Sequence, residues 1–181
     1  MIEAEPQDAG RRTAVLTSAL ETFARHGYRA TSMDAVAREA RISRPGLYFL
    51  FGSKERLFRE AVTHVLTQDL VAVAELLADV DRPLADRLRA AFDRWAGRYV
   101  GPLARDVPGV VADNPDLLDA VARAAPDRFR SLVVAALDGH VADPAAVADT
   151  LGSVSVGLKH QVPSREAYLA RLGTAVDLLL S

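Results

Sequence analysis

The sequence predicts an all-α protein: an N-terminal three-helix head followed by a helical C-terminal part, about nine helices in all. Three observations carry that prediction. Ala and Leu are abundant while runs of period two are scarce. Apolar residues recur at spacings of three and four between Pro, Gly, Ser and Asn punctuation. The charge is split: from Ala9 to Glu60 there are ten basic and five acidic side chains, and from residue 61 to 181 twelve basic and sixteen acidic.

Composition narrows the function classes. The 181 residues carry 22 Lys and Arg against 24 Asp and Glu, a net charge of −2, so any nucleic-acid role must come from a local patch. Half the residues are hydrophobic and 25% charged, an ordinary globular balance. The chain has no cysteine, which excludes disulfides, thiolate metal sites and cysteine nucleophiles. Met1 to Gly10 carries Glu3, Glu5 and Asp8 without an apolar run, and no stretch approaches ~18 uninterrupted apolar residues. The expectation is a cytoplasmic protein without a signal peptide or membrane span.

The elements follow in order. Val15, Leu16, Ala19, Leu20, Phe23 and Ala24 form a helical stripe that Gly27 stops. Ser32 caps a short second helix with Met33, Val36, Ala37 and Ala40 on one face. Ser43 caps a third, with Pro45 in its first turn and Leu47, Tyr48 and Phe51 behind it, and Gly52 ends it. Ser53 starts a fourth that runs towards Leu77. A fifth spans about Pro83 to Val100 and ends near Gly101-Pro102, and an irregular piece covers Leu103 to Asp113. Asn114-Pro115 opens a helical stretch to Gly139, in which Pro126 removes an amide donor and predicts a kink or break. Asp143-Pro144 opens a helix to about Gln161, and Pro163-Ser164 opens the last, to Leu180. Domain boundaries are expected at 8–68 and 69–181.

Residues 32–51 have the proportions of a helix-turn-helix: a helix of about seven residues, a turn at Ala40 to Ile42, and a second short helix from Arg44. Its start offers free amides and a positive dipole end to phosphate. Arg44 can reach a guanine edge or a phosphate, and Pro45 a thymine methyl. Pro45 and Gly46 let the backbone approach closely. Tyr48 carries a hydroxyl for a phosphate oxygen, or else is plain core, and Lys54 adds a charge at that end of the motif.

These residues resemble a known family. Phe23-Ala24-Arg25-His26-Gly27-Tyr28-Arg29-Ala30-Thr31-Ser32-Met33-Asp34-Ala35-Val36-Ala37, followed by Ile42-Ser43-Arg44-Pro45-Gly46-Leu47-Tyr48-Phe49-Leu50-Phe51-Gly52-Ser53-Lys54-Glu55, is similar in order and spacing to the TetR/AcrR family of bacterial transcriptional regulators. The likeness covers about residues 11–62. It implies a homodimer with two heads on double-stranded operator DNA, and a C-terminal domain that pairs through its last two helices and holds a small-molecule effector. The implied DNA contacts are Thr31 or Ser32, Ser43, Arg44, Gly46, Tyr48 and Lys54. Three residues depart from the family pattern: Arg41 at the turn glycine, Leu50 at a phosphate-contacting aromatic, and Phe49 at a commonly polar position.

Phe92, Trp95 and Tyr99 share a helix face, with Phe129 on a later helix; they read as either core or the wall of the implied pocket, with Arg94, Arg98 or His64 as polar fixings. Gly152, Ser153 and Gly157, facing Leu169, Leu172 and Val176, read as either a two-fold helix interface or packing within one chain. No catalytic constellation, cofactor loop or metal site is expected: the four histidines form no HExxH-type pair, and Asp113, Asp116 and Asp119 read as first-turn charges. The sequence therefore favours an effector-released repressor. The alternative is a dimeric helical ligand- or protein-binding module whose DNA binding is weak or lost.

Overall fold

The computed structural model describes residues 6–100, 110–111 and 113–181. Among the described residues there is no strand, and eight α-helices have defined bounds: α1 (Pro6–His26), α2 (Met33–Glu39), α3 (Arg44–Phe51), α4 (Lys54–Ala78), α5 (Leu84–Trp95), α6 (Ala120–Leu137), α7 (Pro144–Gln161) and α8 (Arg165–Leu180). Two 3-10 turns lie at Gly97–Tyr99 and Pro115–Leu117.

The expected caps are made. The side chains of Ser32, Ser43, Asp143 and Ser164 accept from the amides of Ala35, Gly46, Ala146 and Ala167, and Ser53 accepts from Arg56. Each satisfies a donor that the first turn of a helix leaves free. Gly27 and Gly52 take left-handed backbone angles (φ 77° and 72°) at the ends of α1 and α3, where a Cβ would be strained.

Three expectations change. Pro126 lies inside α6 without ending it. The helix opens later than Asn114-Pro115: after a single 3-10 turn, Asp119 accepts from the Ala122 amide at 2.8 Å and so starts α6. Asp119 also accepts from the Thr63 hydroxyl at 2.7 Å. Burial pushes its carboxyl up, but the Ala122 amide, the Thr63 hydroxyl and their neighbours outweigh that and hold it below the ordinary value. The helix expected to reach Val100 stops at Trp95, so Tyr99 stands on the 3-10 turn and not on the face of Phe92 and Trp95. The expected Gly101-Pro102 stop and most of the 103–113 piece lie outside the described residues.

The chain divides into two compact units, Met1–Leu66 with Arg105–Ala122, and Thr67–Ala104 with Arg123–Ser181. The expected boundary at 68–69 puts Leu117 and Asp119 with the second part, whereas in the structure both count with the first unit: Arg59 donates to the Leu117 carbonyl at 3.1 Å, and Thr63 holds Asp119. The first unit closes on Val15, Ala19 and Phe23 of α1, Val36 of α2, Leu47 and Phe51 of α3, and Leu57, Phe58 and Ala61 of α4. Phe23, Tyr28 and Phe58 meet at ring separations of 5.0–5.7 Å. Each of the buried Val, Leu and Phe side chains contributes roughly 1.5–3 kcal/mol of transfer free energy, which α2 and α3, of 7 and 8 residues, need because helices so short are not stable alone.

In the second unit Tyr168 of α8 is fully buried, 2.7 Å from the Ser155 hydroxyl of α7. Burial pushes its phenol up to about 12. Arg87, nearly buried, donates to the Leu77 carbonyl at 2.8 Å and so covers the open C-terminal end of α4. By length and apolar composition alone α4 would suffice to cross a membrane. Core helices of globular proteins pass the same test, and here Leu57, Phe58, Leu70, Val73 and Leu77 are buried in the protein.

Candidate functional site

The geometry of the helix-turn-helix is set by its turn. α2 ends with Arg41 at φ 53°, the one non-glycine residue with positive φ among those described, and the Ile42 amide reaches back to the Ala37 carbonyl at 2.9 Å. This is the closing bond of a Schellman motif, which turns the chain sharply into α3. Arg41 therefore adopts a left-handed conformation that glycine takes freely, at a cost of roughly 1–2 kcal/mol. Its side chain is exposed, so its charge stands on the surface.

Position α3 on that turn and its faces follow. Leu47 and Phe51 are fully buried and anchor it. Leu50 is half-buried against the same core. Arg44, Pro45, Tyr48 and Phe49 face out. Tyr48 is 40% exposed and Phe49 90%, so the core reading of Tyr48 does not hold. The Arg44 guanidinium lies 5.6 Å from the centre of the Tyr48 ring and 3.2 Å from an Asp34 carboxylate oxygen. Gly46 is fitted to the cap: a Cβ there would stand 3.0 Å from the Ser43 Oγ that accepts the Gly46 amide.

Two expected DNA contacts are placed differently. Thr31 is 2% exposed and its hydroxyl donates to the Gly27 carbonyl at 2.8 Å, closing the turn after α1. Only Ser32 of that pair is at the surface. Lys54 is half-buried: its ammonium donates to the carbonyls of Tyr28 and Thr31 at 3.1 and 3.2 Å and sits 4.5 Å over the Tyr28 ring. It clasps α4 to the preceding turn. Tyr28 is pushed up to about 12 by burial and by Glu55, so it stays neutral there. Arg12, which no motif singled out, binds the head together: it pairs with Glu60, donates to the Leu50 carbonyl at 3.2 Å and covers the Phe51 ring at 4.5 Å. Its neighbour Arg11 is exposed beside α3, and the two line a cleft of about 180 Å³ with Ile42, Gly46, Phe49 and Leu50.

The second unit holds an open groove of about 770 Å³. Trp95 and Phe129 stack in it at 4.8 Å with planes 8° apart, and Phe92 meets Phe129 edge-on at 5.1 Å. Gly152, Ser153 and Gly157, expected at an interface, line the same groove, and a Cβ on Gly152 would meet open space. Lys159 lines it too, its amine pushed down by burial and without a carboxylate partner among the described residues.

Leu172 and Val176 are fully buried within the chain, which removes them from any interface; Leu169 is half-buried. Tyr99 belongs elsewhere as well. Its hydroxyl donates to the buried Asp69 at 3.0 Å, and Asp69 also pairs with Arg94 and Arg98 at 2.8 and 3.2 Å. Burial nevertheless pushes the Asp69 carboxyl up against those charges. The two arginines expected to fix a ligand are thus committed to Asp69, and His64 counts with the first unit.

Comparison with known proteins follows this geometry. Residues 15–61 match the family described as bacterial regulatory proteins, tetR family. The uncharacterised HTH-type transcriptional regulator YhgD of Bacillus subtilis is 38% identical over 58 residues, 32% of this chain and 30% of that protein. The HTH-type transcriptional activator FasR of Mycolicibacterium smegmatis is 36% identical over 90 residues, 50% of this chain and 40% of that protein. Both matches thus span well under two thirds of the relatives' own length. A solved structure from Mesorhizobium loti, assigned to the TetR family, superimposes with a TM-score of 0.77 at 19% identity over 97% of this chain and 98% of that one. That likeness is one of fold.

Proposed function

The head of this chain belongs to the tetR family of bacterial regulatory proteins, and from that premise we propose that the whole chain is a dimeric transcriptional regulator whose operator binding answers to a small molecule. The observation that carries the reading is α3 itself: capped by Ser43, anchored by Leu47 and Phe51, with Arg44 and Tyr48 turned to solvent. An α-helix held this way fits the major groove, where Arg44 reads a guanine edge and Tyr48 and the Ser43 turn meet phosphates. The net +5 of Ala9 to Glu60 supplies attraction that the whole chain, at −2, lacks.

Two heads about 34–36 Å apart would meet successive major grooves, so the reading includes a pair of chains. The face of α7 around Gly152, Ser153 and Val156, which also forms one wall of the groove, is the surface proposed for pairing, so that a paired chain would cover the groove's mouth. The effector is proposed to lie on the Trp95–Phe129 stack, with Phe92 beneath and Lys159 to meet an anionic group. It releases the operator if it binds the DNA-incompetent state more tightly, and only by that difference in affinity. Repression is the proposed sign of control, in a cytoplasmic setting.

The test is selection of duplexes from a randomised pool by the full chain. We expect a selected palindrome bound with an affinity that falls steeply with salt, weakened at least tenfold by Arg44→Ala and by Tyr48→Ala, and a species that sediments as two chains. Undiminished binding by both variants would remove the assignment. Failure to select any duplex, with ligand binding intact, would favour the alternative of a ligand-binding module; the commitment of Lys54 to backbone carbonyls is what favours that second reading.

A further inference from the structure

The outward surface of α3 consists of two rows. Arg44 and Tyr48, four residues apart, form a polar row with the guanidinium over the ring. Pro45 and Phe49, also four apart, form an apolar row beside it. Phe49 is the more exposed of α3's aromatic residues, at 90%. Among the described residues it stacks on no other ring, whereas Phe51 on the same helix is wholly buried. A solitary exposed apolar side chain is ordinary on any surface. This one stands on the helix proposed above to face DNA, in line with a proline and on the rim of a cleft lined by Arg11 and Arg12.

The surroundings identify the occupant. Arg11 and Arg12 line the cleft at Phe49 and Arg44 stands exposed in the neighbouring row, so whatever covers Phe49 carries negative charge at its edges and apolar groups at its centre. In the major groove of B-form DNA the phosphates supply the first and the C5-methyl groups of thymine supply the second. Resting on the DNA-binding reading above, we propose that Pro45 and Phe49 form a thymine-methyl reader, so that each half-site carries a thymine whose methyl packs on Phe49, next to the base read by Arg44. Specificity at that position comes from shape and desolvation. A phenyl ring offers no hydrogen bond, so the neighbouring Arg44 row carries the polar discrimination.

The experiment uses the full chain and the best duplex selected from the randomised pool. Each thymine is replaced in turn by deoxyuridine, which lacks only the methyl group. At one thymine in each half-site the replacement is expected to lower affinity about 3- to 10-fold, the scale of one methyl returned to water. Phe49→Ala is expected to weaken binding to the thymine duplex and to bind the thymine and uridine duplexes alike, because the two changes remove one contact. Equal affinity of the wild-type chain for all uridine duplexes overturns the proposal while leaving DNA binding intact. So does a thymine preference that survives in Phe49→Ala, or a change in oligomeric state of Phe49→Ala in the absence of DNA, which would assign the ring to a second copy of the chain. Selection of no duplex at all defeats the DNA-binding reading itself.

Discussion

Asp34 holds Arg44, the residue proposed to read the operator. Its carboxylate lies 3.2 Å from Arg44 Nε, with more than half of each side chain exposed. An exposed pair of this kind is worth no more than about 1 kcal/mol, so Arg44 can leave it for a guanine or a phosphate at small cost. Asp34→Asn removes the competitor and one negative charge near the DNA, and affinity for the selected duplex should rise about 2- to 5-fold. A titration giving equal or weaker binding would mean that Asp34 orients Arg44 for DNA and does not restrain it. Arg41 shows the opposite balance at the same scale. The chain accepts a left-handed arginine at the turn and retains a surface charge that glycine would lack.

Helices in this chain are positioned by a few close approaches, and glycine marks the tightest. At Gly97, on the turn after α5, a Cβ would fall 2.6 Å from an Asp93 carboxylate oxygen and 3.0 Å from the Tyr168 ring. Asp93 is held by Arg165, and Tyr168 is fully buried against Ser155. Neither can easily give way. Gly97→Ala should therefore destabilise the second unit by about 1–3 kcal/mol, the usual cost of overpacking, read as a lower urea midpoint at constant slope. An unchanged midpoint would show that α5 and α8 slide apart freely. Gly152 makes a useful contrast, since a Cβ there meets nothing within 4 Å. The glycines that sequence spacing marks as a close-packing stripe line an open groove, whereas close packing in the second unit falls at Gly97 and at Gly173, where a Cβ would stand 3.2 Å from the Arg89 side chain.

For the molecule as a whole, control requires that the second unit sense something. The chain contains a single tryptophan, Trp95, and it stacks on Phe129 inside the groove. A planar organic anion seated on that stack should quench or shift the Trp95 emission, and Lys159→Ala should weaken the response several-fold by removing the countercharge. The same compound should lower affinity for the selected duplex by the factor that DNA lowers affinity for the compound, because coupling between two binding sites is reciprocal. Emission that responds while duplex affinity stays constant would separate the groove from control of the head.

The sequence alone determined the all-α class, most helix starts and the helix-turn-helix. These are local properties: Ser32, Ser43, Ser53, Asp143 and Ser164 cap within three residues of their own position, and apolar spacing is read along one helix. Of the kink or break expected at Pro126 the helix shows no break, and Tyr99 stands beyond the end of α5, at the turn where Gly97 packs against Tyr168. The roles of Lys54, Leu172 and Val176 are decided only by tertiary structure. Each has a side chain suited to a surface or to the interior, and partners distant in sequence selected between them: Tyr28 and Thr31 carbonyls for Lys54, and a core within the chain for Leu172 and Val176. Exposure, the property that made Phe49 informative, exists only once the chain has folded around its neighbours.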